Sequence, residues 1–294
     1  MGDDFDAFLD KPTEGGYKKH VERLREEMHS LRLELAQGAK ARPSAKARTH
    51  MPIGDSHARP DVSNDRFKWL GKFAREYQPE VIINLGDWAS MESLSSYDKG
   101  KLSFEGRRYY KDIDSANDAI EKFENEIAKA RGYKPKKISL RGNHEARIDR
   151  VVDEQPQFSG LISGDQIKFK EHGWDDIPFL VPITIDGVTY SHYFTSGIMG
   201  RPIGGLNLAQ SLIRLGHCSC VQGHTHLFSY AEQTAADNRK LFGMSAGWYA
   251  DHWDSYAGPA NSLRWAGIAL VKDVFDGFGA VEKHDFSTIK KRFS

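Results

Sequence analysis

Four short stretches of this 294-residue chain carry side chains with the chemistry of metal ligands: Gly54-Asp55-Ser56-His57, Gly86-Asp87, Gly142-Asn143-His144-Glu145 and Gly223-His224-Thr225-His226. Asp, Asn and His together offer oxygen and nitrogen donors. That mixture suits Mn, Fe, Zn and similar divalent ions better than the all-oxygen sites preferred by Mg or Ca. Two ions held roughly 3.5–4 Å apart need a shared ligand, and a carboxylate is the natural bridge. Asp87 is the candidate for it. His224 and His226 would point the same way on a regular strand, but in a loop each can address a different ion. Singly the motifs are weak, because a His-x-His is more often structural and a Gly-Asp after a strand is commonly a turn. Their order and shared context give them weight.

Each motif falls where a strand should end. In open α/β sheets the ligand crevice lies beyond the carboxyl ends of the strands, and a glycine there suits a tight exit from the strand. The pattern from residue 51 onward alternates strands and helices, which predicts a layered α/β domain over 51–294. Strands are expected at 51–54, 81–85, 137–140 and 218–222. A hairpin is expected over 180–194 about Asp186-Gly187, and a β-pair over 265–286 about Asp276-Gly277. Phe67, Leu70, Phe73, Ala74 and Tyr77 share one helical face that ends before Pro79. Ser115 with Asp118 reads as a capping box ahead of a helix carrying Ile120, Phe123, Ile127 and Ala130, closed by Gly132. A further helix is expected near 207–215.

Residues 1–50 have a different character. The first sixteen are acidic and glycine-rich and read as a frayed start. From Tyr17 to Gln37, Val21, Leu24, Met28, Leu31 and Leu35 recur with the a/d rhythm of a short coiled coil. Its apolar seam either packs on the chain itself or makes a homodimer contact. Residues 38–50 carry Lys40, Arg42, Lys46 and Arg48 without an acid and read as a basic linker.

The 41 Lys and Arg balance the 41 Asp and Glu, so any pull toward nucleic acid or an anionic surface must be local. The alternation of side chains along a strand is taken to separate Cys218 from Cys220, so no disulfide is expected. No signal peptide or membrane-spanning run is found, and a reducing cytoplasmic setting without membrane association is expected.

In order and spacing the motifs D-x-H (Asp55, His57), G-D (Asp87), G-N-H-E (Asn143, His144), a lone His and G-H-x-H (His224, His226) resemble the calcineurin-like metallophosphoesterase superfamily. The resemblance implies a four-layer α/β/β/α sandwich and a two-metal phosphoester hydrolase. By the same resemblance, Asp55, His57, Asp87 and His226 would hold one ion and Asp87, Asn143, His192 and His224 the other. His192 is chosen from its place after Thr189-Tyr190-Ser191, with His172 as the rival. Mn is the first expectation for the metal, with Fe, Zn, Ni and Mg behind it. Two such ions make hydroxide from a bridging water near neutral pH, for in-line attack on phosphorus. His144 would face the substrate and steady the transition state or protonate the leaving oxygen.

Protein phosphatases of this superfamily carry an Asp-Arg pair shortly after the second motif, and residues 86–92 contain no arginine, so that activity is disfavoured. Between Trp88 and Lys137, Tyr97, Lys99, Lys101, Arg107, Arg108, Tyr109, Tyr110 and Lys111 interleave basic and aromatic character. Such a segment can follow a phosphate backbone and stack on bases. It is similar to stretches in phage-encoded, repair-exonuclease-like members, which would place the protein in a host cytoplasm. The expected substrate is therefore a phosphodiester of DNA or RNA, with Arg107, Arg108 and Arg201 as substrate contacts. A phosphomonoesterase acting on a nucleotide or small metabolite, and a non-catalytic metal-stabilised scaffold, are the alternatives. The aromatic group Trp248, Tyr249, His252, Trp253 and Tyr256 is either a wall of the cleft or a buried cluster.

Overall fold

The computed structural model describes residues 46–252 and 255–294. The expected helix over 17–37 and most of the basic linker lie outside the described residues.

Six strands form one sheet in the order β13-β12-β1-β2-β3-β4. They are β1 (Arg48–Ile53), β2 (Val81–Asn84), β3 (Lys136–Leu140), β4 (Asp175–Ile177), β12 (Gly267–Phe275) and β13 (Phe278–Asp285). β1 to β4 run parallel, and the β12–β13 hairpin is added antiparallel at the edge of β1. A second sheet has the order β10-β11-β9-β6-β5. It is built from β5 (Ile183–Ile185), β6 (Val188–Ser191), β9 (Ser219–Gln222), β10 (Phe228–Thr234) and β11 (Lys240–Ala246). Its centre, β6, β9 and β11, is also parallel. A two-residue ribbon pairs β7 (Thr195–Ser196) with β8 (Arg201–Pro202).

Alternation along the strands decides the packing. On β2, Val81 and Ile83 face the second sheet while Ile82 faces helices, and on β12 Ala269 and Val271 are set against Ile268 and Leu270 in the same way. Ile185, Val188, Tyr190, Val221, Phe242 and Met244 of the second sheet complete the core between the sheets. The helical side buries Phe67, Leu70 and Phe73 of α1 (Asp65–Tyr77), Ala119, Ile120 and Phe123 of α2 (Tyr109–Ile127), and Phe286 and Ile289 of α5 (Phe286–Phe293). α3 (Ala146–Glu154) follows the third motif, and α4 (Leu208–Gly216) packs Leu208 and Leu212 with Cys220 on the outer face of the second sheet. This is a mixed α/β architecture, with two sheets packed face to face and helices on their outer sides.

The structure changes several expectations. The linker ends earlier than residue 50, because Arg48, Thr49 and His50 belong to β1 and Arg48 makes a two-toothed ion pair with Asp186. α2 starts at Tyr109, so Ser115 and Asp118 lie inside it and do not cap it. Both instead accept hydrogen bonds from the Asn64 amide at the start of α1, at 2.9 Å to Ser115 O and 3.0 Å to Asp118 Oδ2. Gly132 turns the chain after the helix has already ended at Ile127. Cys218 and Cys220 do not point to opposite faces. Residues two apart share a face, and the free thiols lie with their sulfurs 3.6 Å apart. No helix among the described residues is long and apolar enough to cross a membrane.

Candidate metal centre

The motifs leave the carboxyl ends of β1, β2, β3, β6 and β9, the parallel strands at the middle of both sheets. One crevice therefore collects them. The exits are tight: His57, Asp87, His224 and His226 have φ of 48°, 52°, 66° and 58°, in the left-handed region that costs a non-glycine residue energy. Gly142 permits the closest approach, because a Cβ there would sit 2.1 Å from Asp87 Oδ1.

Hydrogen bonds fasten the loops to each other. The Ser56 and His57 N–H groups both donate to Asp87 O, at 3.0 and 2.9 Å. The buried guanidinium of Arg66, on α1, donates to Ser56 O and His57 O at 2.9 and 3.1 Å. The buried Glu145 carboxylate accepts from the N–H groups of Asp87, Ala89 and Gly142 at 3.0, 2.9 and 2.8 Å, tying the second motif to the third. Burial and the neighbouring Asp87 charge push the Glu145 carboxyl up to about 7, against those N–H donors. His224 N–H donates to Asp55 Oδ1 and His144 N–H to Asp87 Oδ1, at 2.8 and 2.9 Å. One oxygen of each aspartate is thus satisfied by backbone, which leaves the other facing inward.

What faces inward is a set of metal-ligating atoms in two groups. In the first, His226 Nε2 lies 3.0 Å from Asp55 Oδ2 and 3.1 Å from His57 Nε2. In the second, His192 Nε2 lies 3.4 Å from Asp87 Oδ2, 2.8 Å from Asn143 Oδ1 and 3.3 Å from His224 Nδ1. Donors about 2.1 Å from one ion sit about 3.0–3.4 Å from each other, so these spacings match a coordination shell. The Asp87 carboxylate also lies within 4.8 Å of the ligating nitrogens of His57 and His144, which links it to one member of the first group.

Two observations test whether a cation fits. Asp55 Oδ2 is fully buried and no hydrogen-bond donor is aligned on it. The second concerns His192, whose Nδ1 lies 2.9 Å from Leu85 O, an atom that can only accept. Nδ1 therefore carries a proton, which leaves Nε2 as the ring atom facing the oxygen of Asn143. A carboxylate, an amide oxygen and an imidazole nitrogen converging on one spot call for positive charge there, supplied by a proton on Nε2 or by a cation in its place. Burial lowers the His192 pKa, but Asp87 and Asp55 outweigh it and raise it above the ordinary value, the pull of the same uncompensated negative charge. Burial pushes Asp55 up, yet His226, His192 and the His224 N–H bring it down to about 2. Burial keeps His57 well below its usual range and also lowers His224, which favours the neutral, ligating form. The residues present fit divalent metal.

His144 stands beside this set and outside the two groups just described. Its Nδ1 donates to Ser90 O at 2.6 Å, leaving Nε2 3.8 Å from Asp87 Oδ2 and 3.3 Å from Arg147 Nη2. Burial lowers its pKa, Asp87 pulls it back up, and Arg147 adds to the lowering. Arg147, held by Ser90 O and Met91 O at 3.0 and 3.2 Å, is a cation at the site that the sequence reading missed. Its only signal was a place three residues beyond His144. Trp248 stacks on His226, with ring centroids 5.3 Å apart and planes 16° apart. Tyr193 covers His224 at 4.7 Å.

The expected substrate contacts fare differently. Arg107 is taken by Asp98 at 2.8 Å and Glu92 at 3.6 Å, acids folded back from the same segment. Arg108 is exposed, bonded to the carbonyl of Arg107, and Arg201 is exposed on β8. The rival His172 lies in a short turn before β4, at the end of the sheet away from the motifs. Tyr249 is core, its hydroxyl bonded to Arg66 O at 3.0 Å, and so is no wall of the cleft. Trp253 and the Tyr256 side chain lie outside the described residues.

Fold and site together define a metal-dependent phosphoester hydrolase. The calcineurin-like phosphoesterase family model matches residues 52–233, more than half of the chain, and the protein belongs to that family. No curated protein matches the chain. A crystal structure similar to it covers 82% of this chain and 99% of its own, at 11% identity and a TM-score of 0.34, too slight a likeness to carry an argument.

Proposed function

We propose that the protein is a two-metal phosphodiesterase acting on nucleic-acid strands. The observation that carries the two-ion reading is the pair of donor groups beside Asp87, with Asp55 Oδ2, His57 Nε2 and His226 Nε2 converging in one and His192 Nε2, Asn143 Oδ1 and His224 Nδ1 in the other. Asp55, His57, Asp87 and His226 would hold one ion, and Asp87, Asn143, His192 and His224 the second. Mn fits this donor set best, with Fe, Zn, Ni and Mg as weaker fits. When bound, such ions supply Lewis acidity toward the phosphoryl group and toward water.

The chain's own groups do the rest. Ser90 O fixes the Nδ1 proton of His144, so Nε2 is the ring atom that exchanges a proton with the ester oxygens. Arg147 places a guanidinium beside that atom, where charge develops on the leaving oxygen. Trp248 and Tyr193 pack against the His226 and His224 rings and hold them in place. Support for a nucleic-acid strand comes from the 97–111 segment, where Tyr97, Tyr110, Lys99, Lys101, Arg108 and Lys111 remain exposed. Exposed rings can stack on bases while the cations follow phosphates. Arg201 is a further contact in this reading.

The test is a Mn²⁺-dependent assay on single- and double-stranded DNA, RNA, and the mono- and bis-para-nitrophenyl phosphates. Strand and diester cleavage should vanish in Asp87→Asn and fall in His144→Asn. Faster turnover of the monoester would move the assignment to a nucleotide or small metabolite, and bound metal with no hydrolysis would leave only a scaffold. Neutralising Arg108 and Lys111 should flatten the dependence of single-strand binding on log salt by about 0.7 per charge.

A further inference from the structure

Away from the metal centre, the start of β9 holds the chain's two cysteines, and neither is used by the chemistry above. Cys220 is buried at the foot of α4, and Cys218 is partly exposed just before the strand. The sulfurs lie 3.6 Å apart, within van der Waals contact, and the Cys220 thiol also donates to Cys218 O at 3.5 Å. Its hydrogen is thus aimed at its neighbour. The Thr189 hydroxyl on β6 is 3.6 Å from the Cys218 sulfur and helps to stabilise negative charge there. Two residues of extended chain span at most about 7 Å between Cα atoms, close to the limit a disulfide accepts, so bonding requires the side chains to turn about 1.5 Å closer.

We propose that Cys218 and Cys220 form a dithiol site that small disulfide oxidants convert to an intramolecular disulfide, with Cys218 attacking and Cys220 resolving. The thiolate of Cys218 attacks one sulfur of the oxidant, whose S–S bond breaks and releases one thiolate. Cys220 then gives its proton to solvent and attacks the Cys218 sulfur of the mixed disulfide, expelling the second thiolate. Two protein thiols are oxidised, and one small disulfide is reduced to two thiols. The asymmetry of the pair supports this order. Contact with Cys220 lowers the Cys218 thiol to about 6, whereas the same contact together with burial raises Cys220. The more acidic sulfur is also the one that solvent reaches.

The full chain, folded and loaded with Mn²⁺, is incubated with oxidised glutathione, its free thiols are alkylated, and the peptide containing both cysteines is weighed. The wild type should lose both free thiols and yield a peptide lighter by two hydrogens without a glutathione adduct. Cys220→Ser should accumulate the glutathione adduct on Cys218, and Cys218→Ser should leave Cys220 reduced. If Cys220→Ser loses its circular-dichroism signature, Cys220→Ala serves in its place. A persistent adduct in the wild type, two thiols that stay reduced, or a disulfide-linked dimer would each overturn the proposal.

Discussion

Replacing Gly142 by alanine puts a methyl group into the space that Asp87 occupies. The added Cβ would lie 2.1 Å from Asp87 Oδ1 and 2.3 Å from its backbone nitrogen. Ordinary contact needs a little over 3 Å, so the Asp87 carboxylate must retreat by about 1 Å. A misplacement of that size costs roughly 100-fold in rate, about 2.7 kcal/mol of transition-state stabilisation. Asp87 serves both donor groups, so apparent Mn²⁺ affinity should fall as well. Overpacking itself costs about 1–3 kcal/mol, and for a domain of this size that is a Tm drop of roughly 3–10 °C, small enough to leave a folded protein at 25 °C. The assay is kcat/KM on bis-para-nitrophenyl phosphate against Mn²⁺ concentration, with circular dichroism as the check on folding. Gly204→Ala is the control, because nothing lies within 4 Å of the Cβ it would gain. A Gly142→Ala protein with wild-type kcat/KM and wild-type metal dependence would refute the claim that this loop contact places the Asp87 carboxylate.

Two further predictions concern titration. His50 is buried with both ring nitrogens bonded, to the Tyr190 hydroxyl at 2.6 Å and Asp186 Oδ2 at 2.9 Å, and burial lowers its pKa although Asp186 opposes the shift. Its stabilising contribution is present above the unfolded value of about 6.5 and is lost as pH falls below it, with a slope of up to ~1.4 kcal/mol per pH unit. In chelator, the stability gap between wild type and His50→Gln, read from urea midpoints, should narrow between about pH 7.5 and 5.5; a constant gap would count against it. Arg147 disfavours the charged form of His144, which must start protonated to serve the leaving oxygen, so Arg147→Met should raise that pKa and move the alkaline limb of the kcat profile to higher pH. An unmoved limb would show that Arg147 does not act through His144.

The ligand motifs were legible because a short buried strand precedes each one: Val81, Ile82, Ile83 and Asn84 are all buried, and the chain turns at once into Gly86 and Asp87. What surrounds the ligands was not legible. Arg66 and Glu145 act through backbone groups distant in sequence, and neither residue type announces that on its own. The insertion read as a basic track from composition, but Asp98 and Glu92 fold back on Arg107, a pairing that only three-dimensional proximity creates. The β10–β11 hairpin went unread because Phe228–Thr234 is half-exposed and Lys240–Ala246 is interrupted by Gly243. The cysteine reading failed for a simpler reason, since a period of two puts residues 218 and 220 on one face.

The most direct measurement is anomalous diffraction from crystals soaked in Mn²⁺, with data collected at the Mn edge. The account predicts two peaks roughly 3.5–4 Å apart, both in contact with Asp87, one shared with Asp55, His57 and His226 and the other with Asn143, His192 and His224. A single peak, or two peaks of which only one touches Asp87, would contradict it.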